Sequence, residues 1–174
     1  MRIDGRACWL WALFLLIFPL RWLLAAFLAA FVHELCHIVA VYLLGGRILS
    51  LEIGPFGAVI ESHGLNLFGE CICALAGPAG SFLLVGFGHF LPMSAVCGLM
   101  QGAFNLLPVY PLDGGRAVSC IFCRFCPKYA ASLQFAISCG MIVILFFLSA
   151  VFLRELLIAP VLLLLRSDIL RKRP

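Results

Sequence analysis

Apolar residues run along this chain in blocks separated only by brief polar breaks. Six blocks can be drawn, at residues 7–20, 22–44, 69–91, 93–107, 129–153 and 156–165. A helix needs about 20 residues to cross the hydrocarbon core of a bilayer. The pattern therefore predicts an all-α polytopic membrane protein of about six transmembrane helices. The first and last blocks are short and would need local thinning of the bilayer or help from flanking residues. The fourth is interrupted by Pro108-Val-Tyr-Pro-Leu-Asp-Gly-Gly115 before helix resumes through Cys126. Between the second and third blocks, Ile48-Leu-Ser-Leu-Glu-Ile53 and Ala58-Val-Ile-Glu61 flank Gly54-Pro-Phe-Gly57, which reads as two short β-type runs joined by a Gly/Pro turn. An open sheet edge has no place in lipid, so this small β-hairpin is expected at the interface near the cytoplasmic face, or in a protein-lined cavity.

Composition agrees with the pattern. The chain is 64% hydrophobic and 11% charged, with a mean hydropathy of +1.15. A soluble domain carries about 25% charged residues to solvate its surface, so lipid is the expected solvent here and a water-soluble enzyme is excluded. The net charge of +4 needs no nucleic-acid partner. With the N-terminus in the cytoplasm, 10 of the 12 basic residues fall on the inner side: Arg2, Arg6, Arg47, Arg116, Arg124, Lys128, Arg166, Arg171, Lys172 and Arg173. Only Arg21 and Arg154 fall outside, at tight turns around Pro19-Leu-Arg21 and Leu153-Arg-Glu155. That asymmetry is the positive-inside pattern and predicts both termini in the cytoplasm. Arg2 and Arg6 precede an apolar run as in a signal peptide, but no small-residue cleavage site follows, so the run is read as a retained first span. The nine cysteines lie mostly within apolar blocks, where a thiol behaves as a small hydrophobe. The whole of 1–174 is expected to be one membrane-embedded domain with a catalytic core at about 22–126.

Candidate chemistry centres on His33-Glu-Leu-Cys-His37 in the second block. Residues four apart share a helix face, so both imidazoles can converge on one ion. Glu34 beside them can take a proton from water activated by zinc. Polar groups in a span cost roughly 2.5–3.5 kcal/mol each when charged, so this cluster needs a reason; helix–helix glue is the plainer alternative. Catalytic zinc usually has three protein ligands. Asp113 is the best candidate for the third, since prolines break the helix before it and paired glycines after it permit close backbone approach. Broken backbone at membrane depth is tolerated where protein or water surrounds it. The competing reading is that Asp113 caps the following helix.

These residues resemble the site-2 proteases, a family of zinc intramembrane metalloproteases, and most of all the sporulation branch that contains stage IV sporulation protein FB. Four blocks carry the likeness: His33-Glu-Leu-Cys-His37, Gly54-Pro-Phe-Gly57, Ala76-Gly-Pro78 and Asn105-Leu-Leu-Pro-Val-Tyr-Pro-Leu-Asp-Gly-Gly115. The resemblance implies one zinc ion per chain on His33, His37 and Asp113, with Glu34 activating water. It implies that Asn105 holds substrate or stabilises the oxyanion, an amide donor being suited to either. It also implies that Gly54, Pro55, Phe56 and Gly57 belong to an element that accepts an extended substrate strand by main-chain pairing. The implied substrate is a membrane-associated or transmembrane protein, a sporulation pro-sigma factor in that branch, with regulatory membrane proteins as further partners. The implied location is the bacterial cell membrane or the membrane around the forespore. Two departures stand out: no CBS domain of the kind that follows the membrane core in the sporulation branch is expected within these 174 residues, and Cys36 stands where glycine is usual. On a helix Cys36 points about 100° from His37, which favours packing.

Other signals carry less. Cys120-Ile-Phe-Cys123-Arg-Phe-Cys126 has iron–sulfur spacing but an incomplete ligand set. His63 and His89 are lone histidines, and Glu52 and Glu61 read as solvated carboxylates. A divalent-metal transporter would use the same ligands, but only one broken helix is present where transporters show matched halves. A catalytically silent homologue that binds membrane proteins would not need the full set of His33, Glu34, His37 and Asp113.

Overall fold

The structure is a computed structural model that describes residues 2–3, 18–54 and 57–171, with side chains at 18–50 and 63–153. Strand β1 (Arg2–Ile3) precedes helix α1 (Leu20–Leu43), which leads into strands β2 (Arg47–Gly54) and β3 (Gly57–His63). Helices α2 (Leu67–Gly86), α3 (Pro92–Asn105), α4 (Asp113–Phe125) and α5 (Ala130–Arg171) follow.

Local sequence explains where these elements start and stop. The 24 residues of α1 contain no glycine or proline. It ends in a Schellman motif: Gly45 N–H bonds to Tyr42 O and Gly46 N–H to Val41 O. Gly45 takes φ +75°, a left-handed conformation that a side chain would penalise. The motif turns the chain straight into β2. At the start of α2, the Asn66 side chain accepts from Gly69 N–H at 2.7 Å, and Glu70 sits in the first turn, where negative charge is favoured.

Helix α2 lies at the centre, packed against α1, α3 and α4, while α5 packs chiefly on α4. Among the described residues, three helical stretches are long and apolar enough to cross a membrane: Leu20–Leu43, Leu67–Gly86 and Ala130–Leu153. The 14 residues of α3 and 13 of α4 span about 20 Å each, less than the roughly 30 Å hydrocarbon core. The interruption predicted from Pro108 and Pro111 thus falls at 106–112, between two short helices.

In the small sheet, β2 pairs antiparallel with β3 from Arg47↔His63 to Gly54↔Gly57, with an irregularity between Ile48 and Ser50. Strand β1 pairs parallel to the other side of β2, through Arg2↔Glu52 and Ile3↔Ile53. The order β1-β2-β3 leaves the far side of β3 as an open edge among the described residues.

Two expectations need correction or restriction. The predicted turn at Leu153-Arg-Glu155 is absent, because α5 runs unbroken for 42 residues from Ala130 to Arg171. Arg and Glu are good helix formers, so a charge pair interrupts the apolar pattern without breaking the hydrogen-bond ladder. At 1.5 Å per residue α5 is about 63 Å long, twice one bilayer core, so the blocks at 129–153 and 156–165 are parts of one helix. Of the first block, residues 7–17 lie outside the described residues, as do Pro55 and Phe56.

Candidate metal centre

Helix α1 buries Ala25, Ala29, His33, His37 and Val41, one stripe at a spacing of four. The two alanines let the neighbouring helices come close, and the two histidines place their rings in the gap. His33 is 2% exposed and His37 7%. Their rings meet edge to face, with centroids 4.9 Å apart and planes at 81°.

Asp113, also 7% exposed, reaches this pair from the start of α4. Its Oδ2 lies 3.0 Å from His33 Nε2 and 3.2 Å from His37 Nε2. The two Nε2 atoms are 3.3 Å apart. The N-cap position belongs to Leu112, and no side chain caps the helix, so the capping alternative for Asp113 does not describe this structure. Arg116 lies one turn on, with Nη1 4.0 Å from the other carboxylate oxygen. The loop that delivers Asp113 is tied to α5 by Tyr110 N–H donating to Ser138 Oγ at 3.2 Å.

Gly114 and Gly115 are what allow this delivery. A Cβ on Gly114 would strike the carbonyl of Leu106, and one on Gly115 would sit 2.6 Å from Tyr110 N and Val109 O. The start of α4 is pressed against the backbone of the loop it has just left. Gly115→Ala is expected to destabilise the protein by about 1–3 kcal/mol, as overpacking does where backbone must yield. Thermal unfolding in detergent measures this; an unchanged midpoint would contradict the tight packing.

The outer nitrogens of both histidines are engaged. His37 Nδ1 donates to the carbonyl of Cys73 at 2.7 Å, and His33 Nδ1 lies 2.8 Å from Ser81 Oγ. A carbonyl only accepts, so His37 carries its proton on Nδ1 and turns an Nε2 lone pair inward. Holding the outer nitrogen of a ligand histidine in this way is a general feature of metal sites. The centre gathers two imidazole nitrogens and a carboxylate oxygen in a buried space, which favours a cation between them. Donors around a tetrahedral zinc stand about 3.3–3.5 Å apart, given bonds of about 2.0–2.2 Å. The observed separations of 3.0, 3.2 and 3.3 Å fit that ion with small adjustment. Among the described residues, His33, His37 and Asp113 are the one group of three or more metal-type side chains this close, within 4.8 Å of one another.

Glu34 is half-buried on α1, one turn before His37 and so a neighbour on the helix surface. Asn105 is the last residue of α3 and half-buried; no hydrogen bond joins it to the centre among the described residues. Gly54 and Gly57 face each other at the tip of the β2–β3 pair. Cys36 packs its Sγ against Gly80 of α2 and is no part of the cluster. His63 and His89 are exposed, as are Cys123 and Cys126.

Three contributors on α2 were not among the predicted site residues, although Gly77 lies within the Ala76-Gly-Pro78 block. Cys73, Gly77 and Ser81 recur every four residues on one face, and all are buried. Cys73 offers a carbonyl, Ser81 a hydroxyl, and Gly77 the absence of a side chain. The signal that would have pointed to Ser81 is a hydroxyl on the small-residue face of an apolar span, one turn beyond Ala76-Gly-Pro78.

Comparisons with known proteins agree on one family. The sequence model of peptidase family M50 matches residues 66–148. A zinc metalloprotease of Methanocaldococcus jannaschii is 29% identical over 112 residues, 56% of this chain and 33% of that protein. Stage IV sporulation protein FB of Bacillus subtilis is 30% identical over 130 residues, 67% of this chain and 45% of that protein. The chain thus spans a third of one curated relative and under half of the other. The solved site-2 protease from Methanocaldococcus jannaschii superposes with a TM-score of 0.58 at 27% identity, covering 73% of this chain and 67% of that one.

Proposed function

Because the chain belongs to peptidase family M50, that of the site-2 proteases, we propose that it is a zinc-dependent endopeptidase cutting membrane-associated or transmembrane proteins within or at the edge of the bilayer. It is an integral membrane protein, with three apolar helices long enough to cross among the described residues. The observation that carries the proposal is the buried convergence of His33, His37 and Asp113, with both outer histidine nitrogens already engaged.

These three residues would hold the zinc. When bound, zinc acidifies water to a pKa near 7 in favourable sites and polarises a carbonyl, the two needs of peptide hydrolysis. Glu34 takes the proton from the attacking water and returns it to the leaving amine, a double use suited to a carboxylate one turn from His37. Asn105 closes α3 where the broken segment begins, and its amide donates to the substrate or to the oxygen that gains charge. Substrate enters as an extended strand, because a helix hides its peptide bonds within its own hydrogen-bond ladder. The open edge of β3, continuous with the Gly54–Gly57 tip, is where such a strand pairs. Arg47 at the start of β2, one of the basic residues assigned to the inner side, supports a place for the sheet near the cytoplasmic face. A membrane-associated pro-sigma factor of sporulation is the first substrate to try, given the likeness to stage IV sporulation protein FB.

The test is Glu34→Gln, compared with wild type on a membrane-tethered substrate in co-expression and in pure preparations. The amide keeps the side chain's shape and cannot take the proton. Zinc content should stay at about one per chain while cleavage disappears. Proteolysis retained by the pure variant would remove Glu34 from this role.

A further inference from the structure

We infer that Ser81 is a positioning residue for the metal centre, its hydroxyl fixing His33 with Nε2 turned inward. The inference rests on the proposed metal reading and goes one layer outward from it. Ser81 is fully buried, at 0% exposure, and its Oγ lies 2.8 Å from His33 Nδ1. For Nε2 to offer a lone pair to an ion, the ring proton must sit on Nδ1. That proton then needs an acceptor, and Ser81 Oγ is the partner the structure places there.

The Ser81 backbone is itself held from behind. Helix α3 contributes none of the three donors, yet it meets Ser81 with two glycines. A Cβ on Gly98 would sit 2.7 Å from the Ser81 carbonyl, and one on Gly102 3.1 Å from the Ser81 Cβ. The close approach of α3 pins the α2 backbone at Ser81, and through it the ring of His33. The two histidines are thus oriented by different means, His37 by a main-chain carbonyl that no substitution removes and His33 by a side chain that one can. Loss of the Ser81 hydroxyl strands a buried N–H, or lets the ring change tautomer and turn its proton toward the centre.

The experiment measures zinc affinity by chelator competition on the purified full chain in detergent, for wild type, Ser81→Ala and Ser81→Cys. Thermal unfolding of the metal-free proteins is recorded alongside. Removing an outer partner of a metal-bound histidine weakens binding about 10- to 100-fold. Ser81→Ala should show that loss while its metal-free unfolding midpoint stays close to wild type. Ser81→Cys, a weak acceptor of similar size, should fall between the two. Ser81→Ala binding zinc as tightly as wild type would overturn the inference alone. So would a metal-free midpoint that falls while affinity holds, since Ser81 would then be packing only. Wild-type protein that binds no zinc would overturn the metal reading, and this inference with it.

Discussion

Asp113→Ala is expected to leave the protein folded but without zinc and without proteolysis. Structural zinc sites bind with apparent free energies of about 10–16 kcal/mol across four ligands, so one ligand accounts for about 2.5–4 kcal/mol, or roughly 70- to 900-fold in affinity. Asp113 matters beyond that share, because it is the one charged donor and the one that joins α4 to α1. The fold should survive, since Gly114 and Gly115 still seat α4 against the loop and Ser138 still holds Tyr110. Asp113→Asn separates charge from shape. The amide can donate to both inward nitrogens, so the metal-free protein should unfold no lower than wild type, yet zinc content and cleavage should both be lost. Metal analysis of purified protein, with cleavage of a membrane-tethered substrate, reads both variants. Full zinc content in Asp113→Ala would remove Asp113 from the ligand set.

How much of this was legible in the sequence depends on how local each signal is. A spacing of four puts His33 and His37 on one helix face whatever the rest of the chain does. The prolines and glycines around Asp113 announce a break in the helix and a close approach, and the structure shows both. What the sequence leaves open is the direction of the carboxylate, since an aspartate at a helix start caps helices as readily as it binds metal. Leu112 in the N-cap position resolves that. Ser81 is 48 residues from the histidine it meets, and no periodicity within α2 links them. The carbonyl of Cys73 has no side-chain signature at all. The unbroken α5 was hidden for another reason: hydropathy reports where lipid ends, while helix continuity depends on backbone hydrogen bonds that Arg154 and Glu155 do not disturb.

The other large effect comes from adding one carbon. A Cβ on Gly77 would overlap His37 Nε2 and sit 2.6 Å from His37 Cε1 and 2.7 Å from His33 Nε2. These ring atoms cannot swing aside as the end of a flexible side chain would, because each ring is held at its other nitrogen by Ser81 or Cys73. Gly77→Ala should therefore force the rings off their partners or push α2 from α1, and either movement separates the three donors. The helix itself gains from the change, since alanine favours helix over glycine by about 0.8–1.0 kcal/mol. That gain offsets only part of the about 1–3 kcal/mol that overpacking costs, so metal-free unfolding should fall modestly, while zinc affinity drops by about a hundredfold or more, as for loss of a ligand. Cleavage should fall to background. Gly77→Ala leaves every proposed ligand and the proposed base in place, so a loss of zinc would trace to the shape of the α2 surface. Zinc bound as tightly as in wild type would mean that α2 does not press on the two rings, and that their inward orientation has some other cause.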